Sequence, residues 1–126
     1  MISPELYRKH ILAQDVRFFK AVGGGRMHYC GSHGSVIDWF FTNPSLTGLD
    51  YDSTYHDLWS LCERAPKNVI LLADVNLDTE TGKRLLSGEW PNKKNIIIHA
   101  WASSTQQGKD MYRRLKASVD KHFLTV

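Results

Sequence analysis

Apolar and polar residues follow two different periods along the chain, and together they predict four strands separated by helices. Short apolar runs bounded by glycine, proline and asparagine predict strands at residues 26–30, 46–51, 69–73 and 95–101. The third run contains no polar residue, which is typical of a parallel strand packed on both sides. The third strand is therefore expected to be buried on both faces.

Apolar residues at helical spacing predict one helix before the first strand and a helix after each strand. The first is predicted to start at the N-cap Ser3 and to stop at the glycines 23–25. The helix after the second strand is predicted to begin at Ser53 and to bury Cys62, and the last helix to cover residues 105–123. Three histidines on predicted helices are expected to be exposed: His10, His56 and His122.

Strands that alternate with helices predict parallel βαβ units joined by right-handed crossovers. The expected fold class is α/β, and two architectures fit: a small open sheet, or half of a (β/α)8 barrel. The half would comprise the barrel's strands five to eight with their helices, preceded by one helix. Both architectures place chemistry at the carboxyl ends of the strands.

The first and fourth predicted strands end in side chains that bind metals well. His28 and Cys30 stand two residues apart, so an extended strand points both to the same face. His99 closes the apolar run of the fourth strand. Soft ligands that converge from separate strand ends are typical of a zinc site with one open position. The alternative is a half-buried strand in which Cys30 packs as a small hydrophobe.

Polar side chains also follow the second and third predicted strands. They are Asp50, Asp52, Asp74 and Asn76. Turn and cap roles are favoured for the first two, whereas the last two either orient a substrate or cap the next helix. Trp101, two residues beyond His99, is a candidate for lining a pocket, and His33 is expected in a surface loop.

Composition limits the class of protein. The 126 residues, 42% of them hydrophobic, predict one domain over residues 1–126. The formal charge of +3 is spread along the chain, which argues against nucleic-acid binding. No apolar stretch or leader pattern predicts a membrane segment or secretion, and two cysteines in unlike segments predict no disulfide. We expect a cytoplasmic protein.

Four segments in this order resemble the carboxyl-terminal half of the uroporphyrinogen decarboxylase (URO-D) superfamily. The sequence Met-His-Tyr-Cys-Gly at 27–31 is similar to the His-x-Cys-Gly strand end of its cobalamin-dependent methyltransferase branch. Residues 2–8 resemble the helix before the barrel's fifth strand, and residues 72–76 resemble the Gly-Asn-x-Asp segment after the seventh. Residues 99–105 and 111–119 resemble the last strand and helix.

The resemblance implies an enzyme domain with two possible chemistries. In the methyltransferase branch, zinc bound by the equivalents of His28, Cys30 and a third ligand at the position of His99 would activate a substrate thiol. Methylcobamide would be the methyl donor, brought by a corrinoid protein. In the decarboxylase branch, a tetrapyrrole-processing lyase without metal, the third position is a histidine as here. The implied catalytic residues are His99, Asp74 and Asn76.

The chain also departs from the family pattern. The family has cysteine where His99 stands in the methyltransferase branch, and Asp74 and Asn76 are transposed. Four βα units cannot close a barrel, because eight are needed. We expect a fragment of a longer chain, a truncated product or a homodimer that rebuilds the barrel. A non-catalytic remnant or partner-binding half-domain is the alternative to an enzyme.

Overall fold

Helices and parallel strands alternate along the protein, as the sequence predicts. The computed structural model describes residues 2–92 and 95–124. Its elements, in chain order, are α1 Pro4–His10, α2 Leu12–Val22, β1 Gly25–Tyr29, α3 Gly34–Phe41, β2 Leu46–Asp52, α4 Leu58–Arg64, β3 Ile70–Asp74, α5 Glu80–Ser87, β4 Ile96–His99 and α6 Thr105–Leu124. The α/β class is confirmed. Within these ranges, no helix combines the length and the apolar character needed to cross a membrane.

The four strands form one all-parallel sheet in the order β1-β2-β3-β4. Each strand lies beside the next strand of the chain. Because crossovers between parallel strands are right-handed in nearly all proteins, this order places the connecting helices on one face of the sheet. The carboxyl ends of all four strands meet at one edge, which we call the carboxyl edge.

The two faces of the sheet differ in burial. On the helix-covered face, Leu49, Tyr51, Leu71 and Ala73 are at most 1% exposed. The opposite face, which we call the open face, carries the apolar side chains Ile70, Leu72 and Ile97; Ile70 is 39% and Ile97 51% exposed. The expectation that the third strand is buried on both faces is therefore wrong, since helices cover only one of them.

The predicted first helix is divided in two at Ile11, whose φ of −117° interrupts the helical backbone. The side-chain oxygen of Ser3 caps α1, as predicted, and Gly23 ends α2 in a left-handed conformation. The Tyr7 hydroxyl donates a 2.6 Å hydrogen bond to Asp15 across the break. Burial and this carboxylate raise the pKa of Tyr7.

The helix after β2 begins later than predicted. Asp57, not Ser53, is its N-cap and accepts a 2.8 Å hydrogen bond from the Ser60 amide. The Ser53 hydroxyl instead donates to the Asp74 carbonyl on the next strand. His56 consequently lies in a turn rather than on a helix, and it is buried, so the expectation that it is exposed is wrong. Cys62 is buried in the core, as predicted.

Candidate functional site

Two histidine–aspartate pairs lie on the open face near the carboxyl edge. His28 Nδ1 is 3.1 Å from Asp50 Oδ2, between β1 and β2. His99 Nδ1 is 3.6 Å from Asp74 Oδ1, between β4 and β3. In each pair the two residues are register partners on neighbouring strands. An aspartate beside Nδ1 favours the tautomer with a proton there, which leaves Nε2 available to a ligand or a substrate.

Two carboxylates stand next to each other in the row of residues that ends the sheet. Asp52 pairs in register with Asp74, and Asp74 pairs with His99. Like charges on adjacent strands are unfavourable without a compensating group. The Thr54 amide donates a 2.8 Å hydrogen bond to Asp52, and His99 flanks Asp74. Sites at which such charges are kept together are often functional.

A cleft of about 890 Å³ opens at this end of the sheet. Its described walls are the ends of β2 and β3, the segment after β4, and the first turns of α6. Asp74 and Trp101, which contact His99, line the cleft, whereas His99 itself is not among the described lining residues. Trp101 is 75% exposed, and its ring centroid lies 4.9 Å from that of His99. Trp101, a candidate pocket residue in the sequence, is one of the side chains that line the cleft. The cleft places the His99–Asp74 pair beside a space large enough for a substrate.

The predicted zinc ligands are not gathered in one place. His28 lies on β1 and His99 on β4, with the whole of β2 and β3 between them. Cys30 follows β1 directly and is exposed. Among residues 2–92 and 95–124 there is no group of three or more histidine, cysteine, aspartate or glutamate side chains placed to hold a metal ion. The three donors therefore do not fit one tetrahedral zinc ion within this sheet.

Asn76 makes local contacts at the edge of the cleft. Its side-chain oxygen accepts a 2.9 Å hydrogen bond from the Asp78 amide, which shapes the turn before α5. Thr79, not Asn76, caps α5. Asn76 is exposed and lines the cleft, so it remains available to a substrate. His33 lies in an exposed loop, as predicted.

Sequence reasoning missed three contributors to the site. Asp50 was given a turn role but contacts His28, and α6 adds Asp110 and Arg114 to the cleft. The signal for Asp50 was present, because His28-Tyr29-Cys30 and Asp50-Tyr51-Asp52 share a central tyrosine that aligns the strand ends. The α6 residues carry no comparable signal, since a charged residue on a long helix is ordinarily solvated.

Comparisons of the chain with protein-family models, with curated proteins and with solved structures find no match.

Proposed function

We propose that the protein is half of a (β/α)8 barrel, strands five to eight, from a URO-D superfamily catalytic domain. The sequential strand order supports this over a doubly wound sheet, in which the order reverses and helices cover both faces. The apolar residues on the open face support it as well, because the inner face of such a barrel is packed with branched side chains. Neither Cys30 nor Cys62 is in a disulfide, which suits a reducing cytoplasm.

The reaction that this geometry supports best is proton transfer in a lyase-type step, as in the decarboxylase branch. One observation supports it most: the His99–Asp74 pair lies at the carboxyl edge beside the 890 Å³ cleft. Asp74 holds the Nδ1 side of the ring, so Nε2 exchanges the proton. The 3.6 Å separation is longer than a hydrogen bond, as is common for catalytic contacts before a substrate binds.

In a decarboxylation, the bond between the substrate carbon and its carboxyl group breaks and carbon dioxide leaves. The electron pair stays on the carbon, which must then receive a proton. His99 donates that proton from Nε2, and Asp74 stabilises the imidazolium before the transfer. Among the described lining residues, Arg114 is the one cation and would pair with a substrate carboxylate. Asn76 orients the substrate through its side-chain amide.

This function predicts that His99→Gln lowers the rate of carbon dioxide release from a tetrapyrrole substrate by a factor of about 10² to 10⁴. Asp74→Asn should lower the rate about tenfold, because the His99 ring loses the carboxylate that orients it. The matched control is Asp78→Asn, since Asp78 lines the same cleft without contacting His99. Wild-type turnover in His99→Gln, or no carbon dioxide release by the wild-type protein, would show that this function is wrong.

A second candidate is zinc-dependent methyl transfer from methylcobamide, carried by a corrinoid protein, to a thiol. The His28–Asp50 contact favours it, because a metal-binding histidine ordinarily donates the N–H of its other ring nitrogen to a carboxylate. Cys30 lies two residues beyond His28 at the same strand end. Because His99 lies across the sheet, this candidate places the zinc on His28 and Cys30 alone. Other groups would supply the remaining zinc ligands.

This candidate predicts stoichiometric zinc in the purified protein, measured by elemental analysis. The double variant His28→Ala, Cys30→Ser should contain none, because it lacks both ligands. His99→Ala is the matched control and should retain the metal, since His99 is separated from the pair by two strands. Zinc that is lost in the His99 variant as well, or protein that does not take up zinc, would contradict this candidate.

A non-catalytic half-domain that binds a partner, or a second copy of itself, is the alternative of a different class. The observation that favours it is the open face, where Ile70, Leu72 and Ile97 form an apolar strip across β3 and β4. Parallel sheets are ordinarily covered on both faces. Whether other protein atoms cover this face in solution can be measured from the loss of stability in the variant Leu72→Ala.

A further inference from the structure

The loop that follows β1 begins with Cys30, and its backbone is hydrogen-bonded to a distant part of the chain. Gly31 is buried, and its carbonyl oxygen lies 2.7 Å from Nε2 of His56. Because a carbonyl can only accept, His56 must carry a proton on Nε2 and donate it. The bond joins residues that are 25 positions apart.

His56 is held in a buried position between two strands. It lies in the turn between β2 and α4 and is 6% exposed. Its ring packs beside Tyr29 of β1 and Tyr51 of β2, with centroids 5.9 Å and 6.3 Å away. The Tyr51 hydroxyl is buried and has no hydrogen-bond partner among the described residues, and burial raises its pKa. The ring is therefore fixed by packing, and its Nε2 points at the Gly31 carbonyl.

Tyr29 also contacts this loop, through a hydrogen bond and through packing. Its hydroxyl oxygen accepts a 3.1 Å hydrogen bond from the His33 amide. A Cβ placed on Gly31 would lie 2.5 Å from that oxygen, so the backbone passes directly against the tyrosine ring. His33 is also the N-cap residue of α3. Two aromatic side chains, His56 and Tyr29, thus set the path of the chain from Cys30 to the start of α3.

We propose that His56 is a positioning residue, whose hydrogen bond to Gly31 fixes the turn that presents Cys30 at the carboxyl edge. Without the donor, the buried carbonyl of Gly31 loses its partner and the turn opens to recover one from water. Cys30 and the end of β1 then lose their fixed position relative to His28. The importance of this positioning for chemistry rests on the proposed function, whereas the hydrogen bond and its effect on the loop do not.

Two variants of the full chain separate the hydrogen bond from simple packing. His56→Leu introduces an apolar side chain of similar size without a donor, whereas His56→Gln supplies an amide N–H donor near the position of Nε2. The first readout is hydrogen exchange at the amides of residues 31–33, compared with amides of β3. The second is the rate of Cys30 alkylation by iodoacetamide, which is selective because Cys62 is buried and Cys30 is exposed.

We expect His56→Leu to change the alkylation rate of Cys30 by about threefold or more and to speed exchange at residues 31–33, while exchange in β3 is unaffected. His56→Gln should restore both readouts to near the wild-type values. If His56→Leu speeds exchange equally in β3 and leaves Cys30 alkylation unchanged, His56 is only a packing residue. If His56→Gln behaves like His56→Leu, the donated hydrogen bond is not the cause. Either result overturns the proposal.

A measurement on the wild-type protein covers the case in which His56→Leu does not fold. Nitrogen-15 chemical shifts of the His56 ring report which nitrogen carries the proton. We expect a protonated Nε2, with a shift typical of a hydrogen-bonded donor. A neutral ring protonated only at Nδ1 could not donate to Gly31 and would overturn the proposal. None of these three readouts depends on catalysis or on zinc, so failure of the proposed function leaves the outcome for His56 unaffected.

Discussion

Replacing Gly82 by alanine is expected to lower the free energy of unfolding by about 3 kcal/mol, near the upper end for overpacking a closely packed site. Gly82 is buried in the first turns of α5, where the helix approaches the segment that follows β3. A Cβ there would lie 2.6 Å from the Asn76 carbonyl oxygen and from the Leu77 carbonyl carbon, and closer still to the Leu77 Cα. These are backbone atoms, so no side-chain rotation relieves the contact. Either α5 or the segment at residues 76–77 must move.

The matched control is Gly34→Ala at the first residue of α3. A Cβ at Gly34 meets nothing within 4 Å, and its φ is not positive. This change should raise the free energy of unfolding by roughly 0.5 kcal/mol, because alanine restricts the unfolded chain more than glycine does. Urea unfolding followed by circular dichroism measures both variants. A Gly82→Ala protein within about 1 kcal/mol of the wild type would show that α5 adjusts more freely than this packing allows.

Gly82→Ala should also disturb the cleft, because the backbone that would move forms part of its wall. Asn76 and Leu77 both line the cleft. The Thr79 hydroxyl, which accepts from the Gly82 amide, also donates to the Asn76 carbonyl, so the cap of α5 and the cleft are linked. This coupling would be confirmed if Gly82→Ala lowers the affinity for a ligand in the cleft by more than its lower stability alone can explain.

Sequence reasoning located the carboxyl edge because apolar runs and turn residues are local signals. The strand at 26–30 and the final helix were predicted to within a residue or two of the observed β1 and α6. Register was also accessible, since aligning Tyr29 with Tyr51 places His28 opposite Asp50, as observed. Local sequence patterns therefore predict the order of the elements and the polar residues at their ends.

Contacts between distant segments could not be predicted from local sequence patterns. His56 was expected on an exposed helix surface, but Asp57 proved a better cap than Ser53, which shortened the helix and turned His56 inward. The three predicted zinc ligands are not gathered in this structure for another reason: strand ends that share an edge are not necessarily neighbours. His28 and His99 occupy the first and last of four strands, a separation on the order of 14 Å in a flat sheet.

The unequal faces of β3 predict that two adjacent leucines respond differently to the same substitution. Leu71 is fully buried beneath the helices, and Leu72 lies half-buried on the open face. Leu71→Ala should lower the free energy of unfolding by about 3 kcal/mol, through lost burial and the cavity it leaves. Leu72→Ala should cost about 1 kcal/mol, because Leu72 lies outside the core cluster and part of its surface already contacts water. Urea unfolding at several protein concentrations measures both.

Leu71 and Leu72 are the same residue type and adjacent on one strand. The difference between their losses in free energy of unfolding therefore reports how well the open face is covered. A loss for Leu72→Ala as large as that for Leu71→Ala would contradict a bare face and show that other protein atoms pack on Leu72 in solution. Stability that rises with protein concentration in the wild type, and not in Leu72→Ala, would identify a second copy as the cover. Concentration-independent stability with a small Leu72 effect fits a half-barrel whose inner layer is open, because branched residues on an inner barrel face stabilise only when the remaining strands enclose them.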